Sequence, residues 1–243
     1  SELSQVTQGI TIGPEIDVSI HSVVYDSRLV ENGDNKVFFA LNGRFRKGID
    51  FVDDAYNKGI RLFVVANDDF VKKTDAVYVQ VKDTLEALLN LAKWHRIQFD
   101  LPVITIAGTH GKTIVKEWLG IMLSEKYRVV KSPKSYNSKL GLALSMLELN
   151  SDSEIAIFEV SLTEKGEGKL FNNLLNPSYG ILTHAGDKFD HKFGSKHNKS
   201  KEYLSLFEGS KRVVYESQVY DEIFSHQEHQ AISVSDYSKE LAQ

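Results

Sequence analysis

The stretch VITIAGTHGKTIVKEW, Val103 to Trp118, decides how the chain is read. It passes from β-branched residues through two glycines to Lys112-Thr113 and then into helical spacing of apolar positions. Such a loop, set between a strand and a helix, suits an anion. Glycines let backbone N–H groups converge, the helix N-terminus adds partial positive charge, a lysine neutralises a phosphoryl oxygen, and a threonine hydroxyl can hold Mg2+. On that reading Gly108, Thr109, His110, Gly111, Lys112 and Thr113 form a phosphate cradle, with Lys112 an exposed charge and Thr113 a metal ligand. The pattern is a short G-x-x-G-K-T, because Ile106 stands where the full phosphate-loop motif has its first glycine. Alone, the hexapeptide also fits an ordinary strand-to-helix turn.

Beyond the loop the rhythm is strand, helix, strand, helix: TIVKEWLGIMLSEK, RVVKS, LGLALSMLEL, EIAIFEV, a polar loop, YGILTHAG, a helix near Lys199 to Phe207, and KRVVYES. Apolar strands separated by helices predict a parallel sheet covered on both faces. EIAIFEV carries Glu159 at its carboxyl end, where a carboxylate points toward the same sheet edge as the loop and can bind Mg2+. A solvated strand-end glutamate is the alternative. The tail from Asp221 reads as another helix and little else.

Upstream, SVVYDSR, KVFFAL, LFVVAND and AVYVQV read as short strands, with a helix over IDFVDDAYNKGI that Gly59 ends. DTLEALLNLAKWHRIQF is a helix opened by Asp83 and Glu86 in a capping-box pattern. Pro102 separates it from the next strand, which places a domain boundary near Asp100: residues 1–99 form a small α/β domain and residues 100–243 the phosphate-loop domain.

Composition adds exclusions. Hydrophobic residues make up 42% and charged residues 26%, an ordinary globular mixture. The formal net charge of −4 gives no whole-chain field for nucleic acid or an anionic membrane. Zero cysteines remove disulfides and thiol chemistry. With no apolar run long enough for a bilayer, the chain reads as cytoplasmic. His184, His191 and His197 fit no common zinc spacing.

GTHGKT, SPKSYNSKLG, FEVSLTEKGEGKL and PSYGILTHAGDKFDHKFGSK stand in the order seen in the Mur ligases, and YDSRLVENGDNKVFFALNG resembles the UDP-sugar-binding domain of the same family. The likeness is strongest to the branch that adds D-Ala-D-Ala to a UDP-MurNAc-tripeptide, including members fused to an alanine racemase. It implies an ATP-dependent amide ligase of peptidoglycan precursor synthesis. The substrate carboxylate attacks the γ-phosphate of ATP, and an amine then displaces phosphate from the acyl phosphate. The resemblance implies that Lys112 and the loop amides hold phosphates and that Thr113 and Glu159 hold Mg2+. Asn137 matches the loop facing the peptide substrate, Ser27 and Arg28 match the D-S-R facing the uridine diphosphate, and His184 falls at the asparagine beside adenine. Asn137 as a plain helix cap and Arg28 as a surface charge are the bland alternatives.

Departures from the family pattern are also legible. Phe189 falls at a metal-associated histidine and, counted without gaps, Tyr203 at a lysine that becomes carbamylated; His191 and Lys201 are the substitutes after a shift of register. Lys47 and Ile49 replace the ends of a D-G-H triplet. A third, C-terminal ligase domain, which brings the amine, is expected to lie outside these residues. Two readings follow: the first two domains of a ligase, or a degenerate nucleotide-binding scaffold with the same fold. An unrelated phosphate-loop kinase is a weaker third.

Overall fold

A computed structural model of the chain describes residues 2–15, 19–43, 45–66, 71–184, 190–215 and 231–233. By contact the chain divides into two units, Ser1–Trp94 and His95–Gln243.

The first unit opens with α1 (Glu2–Val6) and β1 (Ile10–Ile12), neither anticipated from the sequence. β2 (Ser22–Val24), β3 (Lys36–Phe39), α2 (Val52–Asn57), β4 (Leu62–Val65), β5 (Val77–Gln80) and α3 (Thr84–Arg96) follow. The sheet order is β1-β5-β4-β3-β2, with β1 antiparallel to β5 and the other pairs parallel. Phe38, Phe63, Tyr78, Ala55 and Ile60 are buried together, and the Phe63 and Tyr78 rings stack at 5.3 Å. α3 begins where the sequence predicts, because the Glu86 amide donates to Asp83 Oδ1 at 2.8 Å.

The second unit runs β6 (Val103–Ala107), α4 (Lys112–Ser124), β7 (Val129–Lys131), α5 (Lys139–Leu147), β8 (Ile155–Glu159), α6 (Glu167–Leu175), β9 (Tyr179–Leu182), α7 (Asp190–Phe193), α8 (Lys196–Phe207), β10 (Arg212–Tyr215) and β11 (Ala231–Ser233). Its sheet is parallel throughout, in the order β11-β10-β9-β6-β8-β7. Central strands are buried on both faces, and all five residues of β8 are buried. Pairing of Ile106 with Glu159 and of Ala107 with Leu182 brings the carboxyl ends of β6, β8 and β9 to one edge.

Two sequence expectations need correction. The polar loop after EIAIFEV contains α6, whose buried Phe171, Leu174 and Leu175 fall at i, i+3 and i+4. Its start is masked in sequence because Gly166 supplies no side-chain cap; Glu202 of α8 accepts from the Gly166 and Gly168 amides instead, at 2.8 and 2.9 Å. In the tail, the described residues Ala231–Ser233 are a strand beside β10, and the expected helix lies outside the described residues.

Candidate functional site

The loop between β6 and α4 is held in shape from β9. The Thr109 amide donates to the His184 carbonyl at 2.7 Å, and Thr183 Oγ1 donates to the His110 carbonyl at 2.6 Å and lies 3.1 Å from that of Ala107. Gly108 has φ +133°, and a Cβ there would stand 2.3 Å from Thr183 Oγ1 and within 2.9 Å of the His184 backbone. Gly111, at φ +78°, is the left-handed cap from which α4 springs. The first amides of α4 have no carbonyl one turn back and stand at the positive end of the helix. Thr109's amide is already committed to His184.

Lys112 is not the exposed charge expected from sequence. It is 8% exposed, and its Nζ donates to the Gly108 carbonyl at 2.9 Å. Its position on the first turn of α4 folds the side chain back across the loop, which shields it from solvent.

Glu159 is 1% exposed at the end of β8 and collects neutral donors on both oxygens. Thr113 Oγ1 donates to Oε2 at 2.8 Å, and Asn137 Nδ2 donates to Oε1 at 2.7 Å. Ser135 Oγ lies 3.3 Å from Thr113 Oγ1, whose own proton goes to Glu159, so Ser135 is the donor. Asn137 does not cap α5. Ser138 does, accepting from the Gly141 amide at 3.2 Å. Glu159 is therefore not a solvated strand-end residue, and Thr113, Asn137 and Glu159 form one cluster beside the loop.

Sequence reasoning missed Lys116. It is 0% exposed, donates to the Lys134 carbonyl, and its Nζ lies 3.2 Å from Glu117 Oε1 and 3.8 Å from Glu159 Oε2. The signal was present: Lys112, Lys116 and Gly120 are spaced i, i+4, i+8 and form the buried face at this end of α4. Lys131, and after it Lys116, holds the Glu117 carboxyl below the usual carboxylate range. Ser135 and Thr183 were also missed, because only the fold brings them to the loop.

Other expected residues take different settings. His184 is exposed, with its ring 6.1 Å from that of His110. Phe189 and the side chain of His191 lie outside the described residues. Tyr203 is 2% exposed in α8, and Lys201 is exposed. In the first unit Asp26 accepts from the amide and guanidinium of Arg28, Nη2 to Oδ2 at 2.6 Å, and the Arg28 side chain is 82% exposed. Ser27 is buried, and its carbonyl accepts from Lys58 Nζ at 2.8 Å. Lys47 precedes the short 3-10 turn Gly48–Phe51, and Ile49 lies within it. Among the described residues no three His, Asp or Glu side chains group as a metal site, and no helix is long and apolar enough to cross a membrane.

Residues 106–243 match the Mur ligase middle domain and residues 19–96 match the Mur ligase family, catalytic domain. The chain belongs to the Mur ligase family. This Mur ligase chain is 29% identical over 210 residues to the UDP-N-acetylmuramoyl-tripeptide–D-alanyl-D-alanine ligase of Bacillus subtilis strain 168, covering 86% of the chain and 46% of that relative. Among solved structures, MurF from Acinetobacter baumannii superposes with a TM-score of 0.81 at 24% identity, over 96% of this chain and 52% of that one, a likeness of fold. MurF ligase from Thermotoga maritima in complex with ADP superposes with a TM-score of 0.74 at 25% identity, over 86% of this chain and 49% of that one. The chain thus spans about half the length of the curated relative it matches.

Proposed function

We propose that this chain supplies the UDP-substrate and ATP-binding parts, residues 1–99 and 100–243, of an ATP-dependent amide ligase. The ligase adds D-Ala-D-Ala to UDP-MurNAc-tripeptide in peptidoglycan precursor synthesis. The observation that carries the reading is the Thr113–Glu159–Asn137 cluster set against the glycine loop at the carboxyl edge of a parallel sheet. The relatives, which are named as ligases of this type, support it over a scaffold.

The amides of His110 to Thr113 and the Lys112 ammonium hold the β- and γ-phosphates, with Gly108, Thr109 and Gly111 giving the loop its shape. His184 lies beside the base. Thr113 and Glu159 present two hard oxygen donors 2.8 Å apart, a set that fits Mg2+, which takes one or two protein ligands beside phosphate oxygens and water. When bound, Mg2+ neutralises charge on the phosphates during transfer. Asn137, held by Glu159, faces the peptide substrate, and Ser27 and Arg28 face the uridine diphosphate. Lys201, exposed on α8, takes the role of the family's modified lysine, with His191 a further ligand. A fused racemase domain is compatible with this reading. Phosphoryl transfer of this kind depends chiefly on positioning and charge, and the cluster supplies both.

Calorimetry of ADP binding in Mg2+, comparing the chain with Lys112→Met, tests the assignment. Methionine keeps the buried stem and removes the charge. The reading expects binding by the chain and a loss of at least about tenfold in the variant. Equal affinities would reject the loop as the nucleotide site.

A further inference from the structure

Lys116 has no part in the assignments above, yet it is the most completely buried cation near the site. Its position differs from that of an ordinary ion-pair partner. Both oxygens of Glu159 already accept from neutral groups, Thr113 and Asn137, and Lys116 Nζ stands behind them at 3.8 Å. Its own hydrogen bond goes to the Lys134 carbonyl. Lys134 is held at φ +49°, and the residues just after it, Ser135 and Asn137, turn back to Thr113 and Glu159. On its outer side Lys116 meets Glu117, which Lys131 also pairs. A charge so buried is kept by the groups that pair with it, and its field reaches neighbours with little screening.

We propose that Lys116 is a positioning residue that sets the divalent-cation demand of nucleotide binding: fixed on the Lys134 carbonyl, its ammonium is the built-in counter-charge of Glu159. The inference rests on the proposed nucleotide site. Because Lys116 makes no hydrogen bond to Glu159, a cation reaching the carboxylate displaces only neutral donors. It does so against the repulsion of a fixed positive charge. Lys116 therefore holds Glu159 and the loop from Pro133 to Asn137 in place without nucleotide, and it raises the Mg2+ concentration at which the carboxylate is claimed. Glu117 offsets part of that charge from the solvent side.

The test is ADP binding by calorimetry across a series of Mg2+ concentrations, for the chain, Lys116→Met and Glu117→Gln. Removing the buried charge lowers the half-saturating Mg2+ about tenfold, and removing its offset raises it about threefold. A purely structural role would instead weaken binding in both variants. If Lys116→Met does not fold, Glu117→Gln decides alone, since its side chain is 40% exposed and its replacement leaves the core intact. An unchanged half-saturating Mg2+ in Glu117→Gln, or shifts of the same sign in both variants, would overturn the proposal. Failure of the unmodified chain to bind ADP at any Mg2+ concentration is a different result, and it rejects the nucleotide site together with this inference.

Discussion

Asn137 donates from Nδ2 to Glu159 Oε1 at 2.7 Å, joining the loop after β7 to the end of β8. This contact ties the segment proposed to face the peptide substrate to the residue proposed to hold Mg2+, so a change at either should be felt at both. Glu159→Gln keeps the shape but leaves the buried Lys116 without its full counter-charge, a class of change that costs about 3 kcal/mol. We expect a clear drop in melting temperature and loss of the Mg2+ dependence of ADP binding. Asn137→Ala should cost about 2 kcal/mol by denaturant titration, because a hydrogen bond to a buried charged oxygen is lost.

Gly108→Ala should abolish ADP binding and destabilise the second unit. The new methyl would meet Thr183 Oγ1 at 2.3 Å, and the loop's φ of +133° does not suit an L side chain. A circular-dichroism melt and calorimetry on one preparation check both parts.

Thr105→Val should stabilise the chain by about 1 kcal/mol. Thr105 Oγ1 is buried in β6 with no hydrogen-bond partner among the described residues, so an isosteric methyl removes a desolvation cost without opening space. A rise in the midpoint of urea unfolding is the expected readout.

Arg28, first by its side-chain hydrogen bond, holds the Asp26 carboxyl at about 2, against an ordinary value of 3.8. A depressed carboxylate contributes stability above its unfolded value and loses it as pH falls through the folded one. Between about pH 4 and pH 2 the first unit should therefore lose stability, and Asp26→Asn should flatten that part of the profile. Because Arg28 is exposed, added salt should shrink the effect.

Counting without gaps, Tyr203 falls at the family's lysine, and restoring a cation site there calls for Phe189→His together with Tyr203→Lys. Because Tyr203 is buried, Tyr203→Lys alone places an ammonium in the core and should lower stability. Lys201→Ala should change stability by less than about 0.5 kcal/mol and lower ligation in the complete protein.

The parallel sheet, the glycine loop and Glu159 were legible because they follow from local patterns: apolar runs, left-handed turns and a carboxylate at a strand end. α6 was not, since its N-terminus is capped from α8 by Glu202, a partner distant in sequence. The same holds for Ser135, which reaches Thr113 only when the loop after β7 folds onto α4; the spacing of Lys116 was visible on α4, but its partner, the Lys134 carbonyl, was not. Asn137 came from family likeness, and its setting could not have been derived from spacing, as Ser138 next to it is the cap. Phe189 lies outside the described residues, so its departure from the family pattern stands as an expectation.

The most direct measurement of the central claim is phosphate release from ATP by the complete gene product, supplied with UDP-MurNAc-tripeptide and D-Ala-D-Ala. The account predicts release that requires both substrates and Mg2+ and is lost in Lys112→Met. Release that ignores either substrate, or none at all from a folded protein that binds MgADP, would contradict the ligase reading.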